Sequence, residues 1–404
     1  MTMRLSSAQL FNQSISSVLQ KQTATSKILD QLSSGKKVNT SGDDPVAALG
    51  IDNLNQRNAL VDQFMKNIDY ATNHLQQTES QLGQADALIS SMKDLMLQGS
   101  NGSQTSEERQ TIADDLRKSL DQLLTIANTK DESGNYLFAG NKTETLPFQF
   151  DANGKIVYQG DSGVHSAIIA SGIQLNTNVA GDTAFIKSPN AMGDYSVNYS
   201  SSQQGEFSVT SAKLDGVTPS LSDYQINFLD DGAGGINVEV TDTATPANVI
   251  SAAAPFDPSA SINFDGVKLS IEGEPKIGDS FTLHQEAEVS IFDTFSKAIA
   301  LFDNADQVQT PSGQSELAQL LNNIQSGVKQ ISQQQGLAGN SLKVLEKYTD
   351  KHTDEKLINT SALSKLEDVD YATAITEFEK QQLALNAVSS VFSKVGSVSL
   401  FDYI

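Results

Sequence analysis

Cysteine and tryptophan are absent from the 404 residues, histidine occurs four times, and basic residues are scarce. Each shortage removes a class of function. Without cysteine there is no disulfide, no thiolate nucleophile and no cysteine-based zinc site, and either redox compartment stays open. No two of His74, His165, His284 and His352 lie within four residues of each other, and no H-E-x-x-H pair occurs, so a metal site has no sequence support. Lys and Arg number 27 against 49 Asp and Glu, a net charge of −22. A chain this acidic repels nucleic acid and anionic membrane surfaces, so neither is an expected partner. No run of about 18 apolar residues is present to span a membrane. The opening "MTMRLSSAQLFNQSISS" has one Arg but no continuous apolar stretch, so a cleavable secretory signal is not expected. The protein then either stays in the cytoplasm or leaves by another route.

Proline is missing where long helices would need it to be. Seven of the nine prolines, and 14 of the 27 glycines, lie between residues 141 and 285. Residues 46–146 and 312–404 contain no proline at all. The outer thirds can hold long helices and the middle cannot.

The outer thirds carry helical spacing. Val61, Phe64, Ile68, Ala71, Leu75, Thr78, Leu82, Ala85, Ile89, Met92 and Met96 step alternately by three and four, with Thr78 as the one polar member. That is a heptad seam, which lays one helix along another. Leu317, Leu321, Ile324, Val328, Ile331, Gln335, Ala338, Leu342 and Leu345 repeat it with one exception, Gln335. A helix from Pro45 to about Gln98 would be ~80 Å long. "TSEE" at Thr105 is a capping box that starts a third helix, with Ile112, Leu116, Leu120 and Leu123 on its apolar face. "SGNYLFAG" (133–140) then reads as a turn into a short β-prone run.

The middle reads as strands. "KIVYQG", "HSAIIA", "YQINFL", "INVEV" and "VKLSIEG" are β-prone runs separated by Gly, Asp, Asn and Pro. Residues 141–285 hold 17 acids and 6 bases, a local net of −11. The expected fold is therefore α+β: an elongated rod of long coiled-coil helices from both chain ends, with an all-β domain inserted. The expected boundaries are an inner coiled coil of 1–43 with 364–404, a helical rod of 44–140 with 286–363, and a β domain of 141–285.

The two ends match each other in pattern. Phe11, Ile15, Val18, Thr25, Leu29 and Leu32 fit a heptad with Gln22 as a polar break. Ile375, Phe378, Leu385, Val388, Phe392 and Val395 fit one helical face near the C-terminus. These residues, Thr25 aside, are the candidate assembly seam.

Between the first helix and the long one lies "LSSGKKVNTSGDDPVAALGI" (32–51), which has the look of a chemical motif. A phosphate-binding loop needs a Gly five residues before Gly35 and a hydroxyl residue at 37; Asp30 and Lys37 stand there instead. Ser33-x-x-Lys36 lacks the S-D-N and K-T-G partners of a serine hydrolase of that type. A bend accounts for more of the residues. Gly35 can stop a helix in the left-handed region, Asp44 can cap the next one, Pro45 suits its first position, and Asp43 favours its positive end. "GDSGVH" (160–165) resembles the nucleophile motif of trypsin-like proteases, but the upstream His74 sits in the long helix, so Ser162 reads as part of a turn. "DDGAGG" (230–235) is too short for a calcium loop and reads as a hairpin turn. "NKT" at Asn141 fits a glycosylation pattern as easily by chance. The reading is a protein that is not an enzyme and needs no cofactor or metal.

The ends carry a resemblance. "LSSGKKVNTSGDDPVAALGI" resembles the N-terminal signature of the bacterial flagellin family. "SKLEDVDYATAITEFEKQQLALNAVSSV" (364–391) resembles the matching C-terminal signature. "DDP", "YLFAG" (136–140) and the closing "SLFDYI" resemble the hook-associated branch of that family more than its filament-forming branch. The resemblance implies terminal helices paired as an inner coiled coil, a helical rod and an outward β domain. It implies a structural role in the bacterial flagellum at the hook–filament junction, outside the cell, after export without a cleaved signal. The implied partners are further copies in a ring, hook-associated protein 1, flagellin, and an export chaperone on the C-terminal helix. A filament flagellin is the nearest alternative. A flagellum-borne hydrolase using Ser162 is the alternative from another class.

Overall fold

The computed structural model describes residues 7–216, 218–220, 222–244 and 248–397. Helices α1 (Ser7–Ser34), α2 (Pro45–Gly99) and α3 (Ser106–Ala127) precede a strand-rich middle. Helices α4 (Ile291–Asp303), α5 (Pro311–Glu367) and α6 (Tyr371–Ser397) follow it. The ends are helical and the middle is antiparallel sheet, as an α+β chain requires. The chain divides into two compact units, Met1–Lys66 with Tyr348–Ile404 and Asn67–Lys347, and both α2 and α5 continue from one into the other.

In the larger unit, α2 and α5 present the predicted seams. Ile68, Leu75, Leu82, Ile89, Met92 and Met96 of α2 are buried, as are Leu317, Ile324, Ile331, Ala338 and Leu345 of α5. Helix α3 starts with the predicted capping box: Thr105 Oγ1 accepts from the Glu108 amide at 3.2 Å, and Glu108 Oε2 accepts from the Thr105 amide at 2.7 Å. The Thr105 amide, and then its hydroxyl donating to the same carboxylate, hold the Glu108 carboxyl below the usual range. Arg109, itself buried, donates to the carbonyls of Gly99, the last residue of α2, and of Asn101 just past it, which fixes the α2–α3 turn. Gly99 is needed there, because a Cβ would stand 2.4 Å from the Phe302 ring.

Three pairs of short strands come first and last in the middle region. β1 (Phe148–Phe150) pairs with β2 (Ile156–Tyr158), and β3 (Ser166–Ala170) with β4 (Ile173–Asn176). β5 (Ser188–Pro189) pairs with the strand Glu288–Val289 that closes the region. This part packs on the helices. Phe148, Phe185 and the α4 residue Phe292 form a triangle of rings with centroids 5.1–5.8 Å apart, inside the core made by α2, α3, α4 and α5.

A separate core begins at β6 (Tyr195–Tyr199). It includes β7 (Glu206–Leu214), β8 (Asp223–Asp230), β9 (Ile236–Asp242), β10 (Val249–Pro255), β11 (Ile262–Phe264), β12 (Val267–Glu274) and β13 (Ser280–Gln285). These make a five-stranded sheet in the order β10-β9-β8-β13-β6 and a three-stranded sheet in the order β11-β12-β7. Alternate residues turn inward, among them Tyr224, Ile226 and Phe228 of β8 and Leu269 and Ile271 of β12, so the two sheets share one core. β14 (Glu288–Val289) then returns to pair with β5.

Two local expectations change. "YLFAG" forms no strand. The Tyr136 and Leu137 amides donate to Thr143 and Thr129 in neighbouring loops, so no ladder forms, and Leu137, Phe138 and Ala139 are buried as a packed turn. Helix α4 was not foreseen. Eight of its residues, including Phe292, Phe295, Ile299 and Phe302, are buried, while Asp293, Ser296, Lys297, Ala300 and Asp303 line the opposite, more open face, so the helical period was present in the sequence and went unread.

Candidate assembly interface

In the smaller unit, α1 lies against α6, although the chain separates them by more than 300 residues. Lys21 Nζ donates to Gln381 Oε1 across the pair at 3.1 Å. Ile15, Val18 and Leu32 of α1 are half-buried, as are Phe378, Leu385, Val388 and Phe392 of α6. Leu29 and Ile375 are not: they are 54% and 48% exposed. The phase of each helix explains this. Ile28 rather than Leu29 is half-buried, and Ala374 is the buried residue beside Ile375. The side chains of Phe11 and Val395 lie outside the described residues, as does the whole of the closing "SLFDYI". Leu19, Leu383 and Val391 join Leu29 and Ile375 as large apolar side chains left open to solvent on the two helices.

The bend after α1 meets the bend before α6. Gly35 takes φ +72°, the left-handed conformation that ends α1. Lys36 pairs with Asp368 as a single antiparallel bridge. The Lys37 amide donates to the Glu367 carbonyl at 2.5 Å, and the Val369 amide to the Gly35 carbonyl at 3.0 Å. Lys36 and Glu367 also form an ion pair. The Tyr371 ring closes over the glycine, its hydroxyl 3.0 Å from where a Cβ would be. The two connections are thus stitched into one clasp.

The remaining bend residues build the start of α2. Asp44 is its N-cap: Oδ1 accepts from the Val46 and Ala47 amides at 3.1 and 3.0 Å, and Pro45 fills the first helical position. Asp43 ties the loop together. It pairs with Lys27 of α1 at 2.8 Å and accepts from the amides of Asn39 and Thr40. The Lys27 ammonium, with Thr40 next in weight, holds the Asp43 carboxyl far below the usual range. Asp370 does for α6 what Asp44 does for α2, accepting from the Ala372 and Thr373 amides. Beneath the clasp a small core of Val38, Ala47 and Ile51 packs with Leu363 and Leu366 of α5. Sequence spacing revealed Gly35, Asp44 and Pro45. It gave no sign that Lys36 and Asp368 meet, since no local pattern reports a contact between residues this far apart.

Ser162 has the geometry of a turn residue. Its hydroxyl donates to Asp182 Oδ2 at 2.5 Å, and Lys187 binds the same carboxylate at 2.7 Å. Burial would raise the Asp182 carboxyl, but the bonds from Lys187, Ser162 and the Thr183 amide outweigh it and hold it low. The nearest imidazole in sequence, His165, spends its Nε2 on the Gly140 carbonyl at 3.0 Å. His74 Nδ1 is 2.7 Å from the Thr177 carbonyl, so it must carry the proton and donate. Among the described residues no three His, Asp or Glu converge as metal ligands, and no helix is long and apolar enough to cross a membrane.

The ends of the chain are similar to known proteins. Residues 6–143 match the bacterial flagellin N-terminal helical region, and residues 321–404 match the bacterial flagellin C-terminal helical region. Flagellar hook-associated protein 3 of Escherichia coli is 35% identical over 160 residues, 40% of this chain and 50% of that protein. Its namesake in Salmonella typhimurium is 31% identical over 183 residues, 44% of this chain and 58% of that protein. The chain therefore spans between half and three fifths of the length of these relatives. Flagellin B of Vibrio anguillarum is 25% identical over 92% of this chain and 90% of its own. Among solved structures, flagellar hook-associated protein 3 from Legionella pneumophila shares 28% identity with a TM-score of 0.68, covering 78% of this chain and 98% of that one.

Proposed function

The chain belongs to the bacterial flagellin family, and from that premise we propose that it is a structural component of the flagellum at the junction of hook and filament. Copies form a ring that receives hook-associated protein 1 on one side and flagellin on the other. The ring joins a flexible hook to a stiffer filament and is needed for filament assembly and swimming. The protein acts outside the cell, exported without a cleaved signal, with a chaperone on α6 beforehand. It is not an enzyme. The observation that carries this reading is the likeness to hook-associated protein 3, in sequence over 40–44% of this chain and in fold over 98% of the Legionella chain.

The helix pair supplies a physical route to assembly. Leu19, Leu29, Ile375, Leu383 and Val391 are between 48% and 69% exposed on α1 and α6. Covering such a side chain contributes roughly 1.5–3 kcal/mol when burial is complete. Neighbouring copies can cover them, with Phe11, Ile15, Val18, Leu32, Phe378, Leu385, Val388, Phe392 and Val395 forming the seam within each copy. The clasp of Gly35, Asp43, Asp44 and Pro45 sets the direction in which this pair leaves α2 and α5. We also propose a division into an inner coiled coil (1–43, 364–404), a helical rod (44–140, 286–363) and a β domain (141–285).

A filament flagellin remains the second reading, because the Vibrio anguillarum flagellin aligns over 92% of this chain. Deleting the gene separates the two. Bare hooks with abundant flagellin in the medium support the junction. Filaments still present on the hooks, or bare hooks without released flagellin, would overturn it.

A further inference from the structure

Of the four glycines in helix α5, Gly313 and Gly327 pack closely on Gln307 and Ile291, whereas Gly336 and Gly339 lie close to one turn apart in its interior. A Cβ on either would meet no atom within 4 Å, so neither is there to make room. Each lowers local helix formation about fivefold relative to alanine, with no packing gain inside the chain in return. Three more features fall at the same level. Seam position 335 is a glutamine whose Nε2 donates to Glu79 Oε1 of α2 at 2.8 Å. Gly83 of α2 faces that amide, since a Cβ there would stand 3.0 Å from it. Thr78, fully buried, donates back to the His74 carbonyl of its own helix at 2.9 Å, a bond that tends to bend helices.

The packing at this level is also open. A groove of about 600 Å³ runs past Glu79, Gln335, Gly336, Gly339 and Lys343. At this level Leu82 of α2 and Ala338 of α5 are the buried apolar residues, and buried apolar residues flank it on both sides, Leu75 and Ile89 on α2 and Ile331 and Leu345 on α5. The helix itself is continuous through the segment. A continuous helix with unrewarded glycines, a polar seam layer and an unpacked flank is soft without being broken.

We propose that residues 333–342 of α5, with Glu79–Gly83 of α2 opposite, form a bending joint in the paired helices. The joint yields under load while the apolar layers on either side hold register. That it relieves strain between hook and filament rests on the junction reading; the joint itself does not.

Hydrogen exchange on the full-length protein tests the joint. Amides 334–342 should exchange at least about fivefold faster than amides 318–330, and Gly336→Ala with Gly339→Ala should slow them roughly thirtyfold. Both substitutions enter open space, so the variant has no steric reason to misfold. Equal exchange in the two segments, or no slowing in the double variant, would overturn the proposal. In cells, the double variant should shed filaments more readily than the native protein in viscous medium. Equal shedding with slowed exchange would overturn the role in load, and filaments on hooks without the gene would overturn only the junction reading.

Discussion

Gly35→Ala tests the clasp through one methyl group. The left-handed φ of +72° at this position costs an alanine about 1–2 kcal/mol. The added Cβ would also press on the Tyr371 hydroxyl at 3.0 Å. That ring is 53% exposed and can shift by a few tenths of an ångström, so the backbone cost dominates. The clasp should open more often by a factor on the order of 5–30. Two amides report it: Lys37, bonded to the Glu367 carbonyl, and Val369, bonded to the Gly35 carbonyl. Their hydrogen exchange should accelerate by that factor, while amides in the buried face of α3 stay unchanged. Adding Tyr371→Phe to the variant separates the causes, since recovery of slow exchange would assign the effect to the hydroxyl contact. Native exchange rates at Lys37 and Val369 in Gly35→Ala would refute the reasoning.

Other outcomes follow from the same contacts. Phe292→Ala, which empties the ring triangle, should lower stability by about 3–5 kcal/mol in urea denaturation, and a loss below about 1 kcal/mol would show that the rings do not anchor this core. Burial depresses the His74 pKa, partly offset by its bond to Thr177; the folded state therefore binds protons more weakly than the unfolded one. Its contribution is whole above pH about 6.5 and falls as pH drops toward the lowered value, so His74→Asn, which keeps a donor, should flatten that slope in melting curves. Phe378→Asp and Leu383→Asp should both block assembly, but only Phe378→Asp should loosen the α1–α6 pair in circular dichroism. A serine-reactive probe should leave Ser162 unlabelled, because its proton goes to Asp182 and not to an imidazole.

What could be read in advance depended on period. The seams of α2 and α5 show because one face of each is buried and the other is wet, so Leu82 and Ile89 recur at helical spacing among polar residues. Helix α4 shows the same contrast in short form, with Asp293, Ser296, Lys297 and Asp303 on its open face, and was legible in principle. The strands of the two-sheet core show by alternation, as in Tyr224, Ile226 and Phe228. "YLFAG" has the same apolar content, yet its backbone bonds go to Thr129 and Thr143, which composition cannot foretell. At the ends, a heptad assignment one residue out of phase separates Leu29 from Ile28 and Ile375 from Ala374. The clasp was half legible. Caps such as Asp44 are local and announce themselves, whereas Lys36 opposite Asp368 depends on a fold already made.

The pairing of α1 with α6 also sets a clock. Lys21 and its partner Gln381 are 360 residues apart. A ribosome adding ~5–20 residues per second leaves the first helix waiting on the order of 20–70 s before its own partner exists. For that interval α1 offers its apolar stripe to whatever is present, with no competition from within the chain. Any factor that must hold this protein open has only to arrive first. Once α6 is made, the same factor must compete against a tethered rival that is never far away.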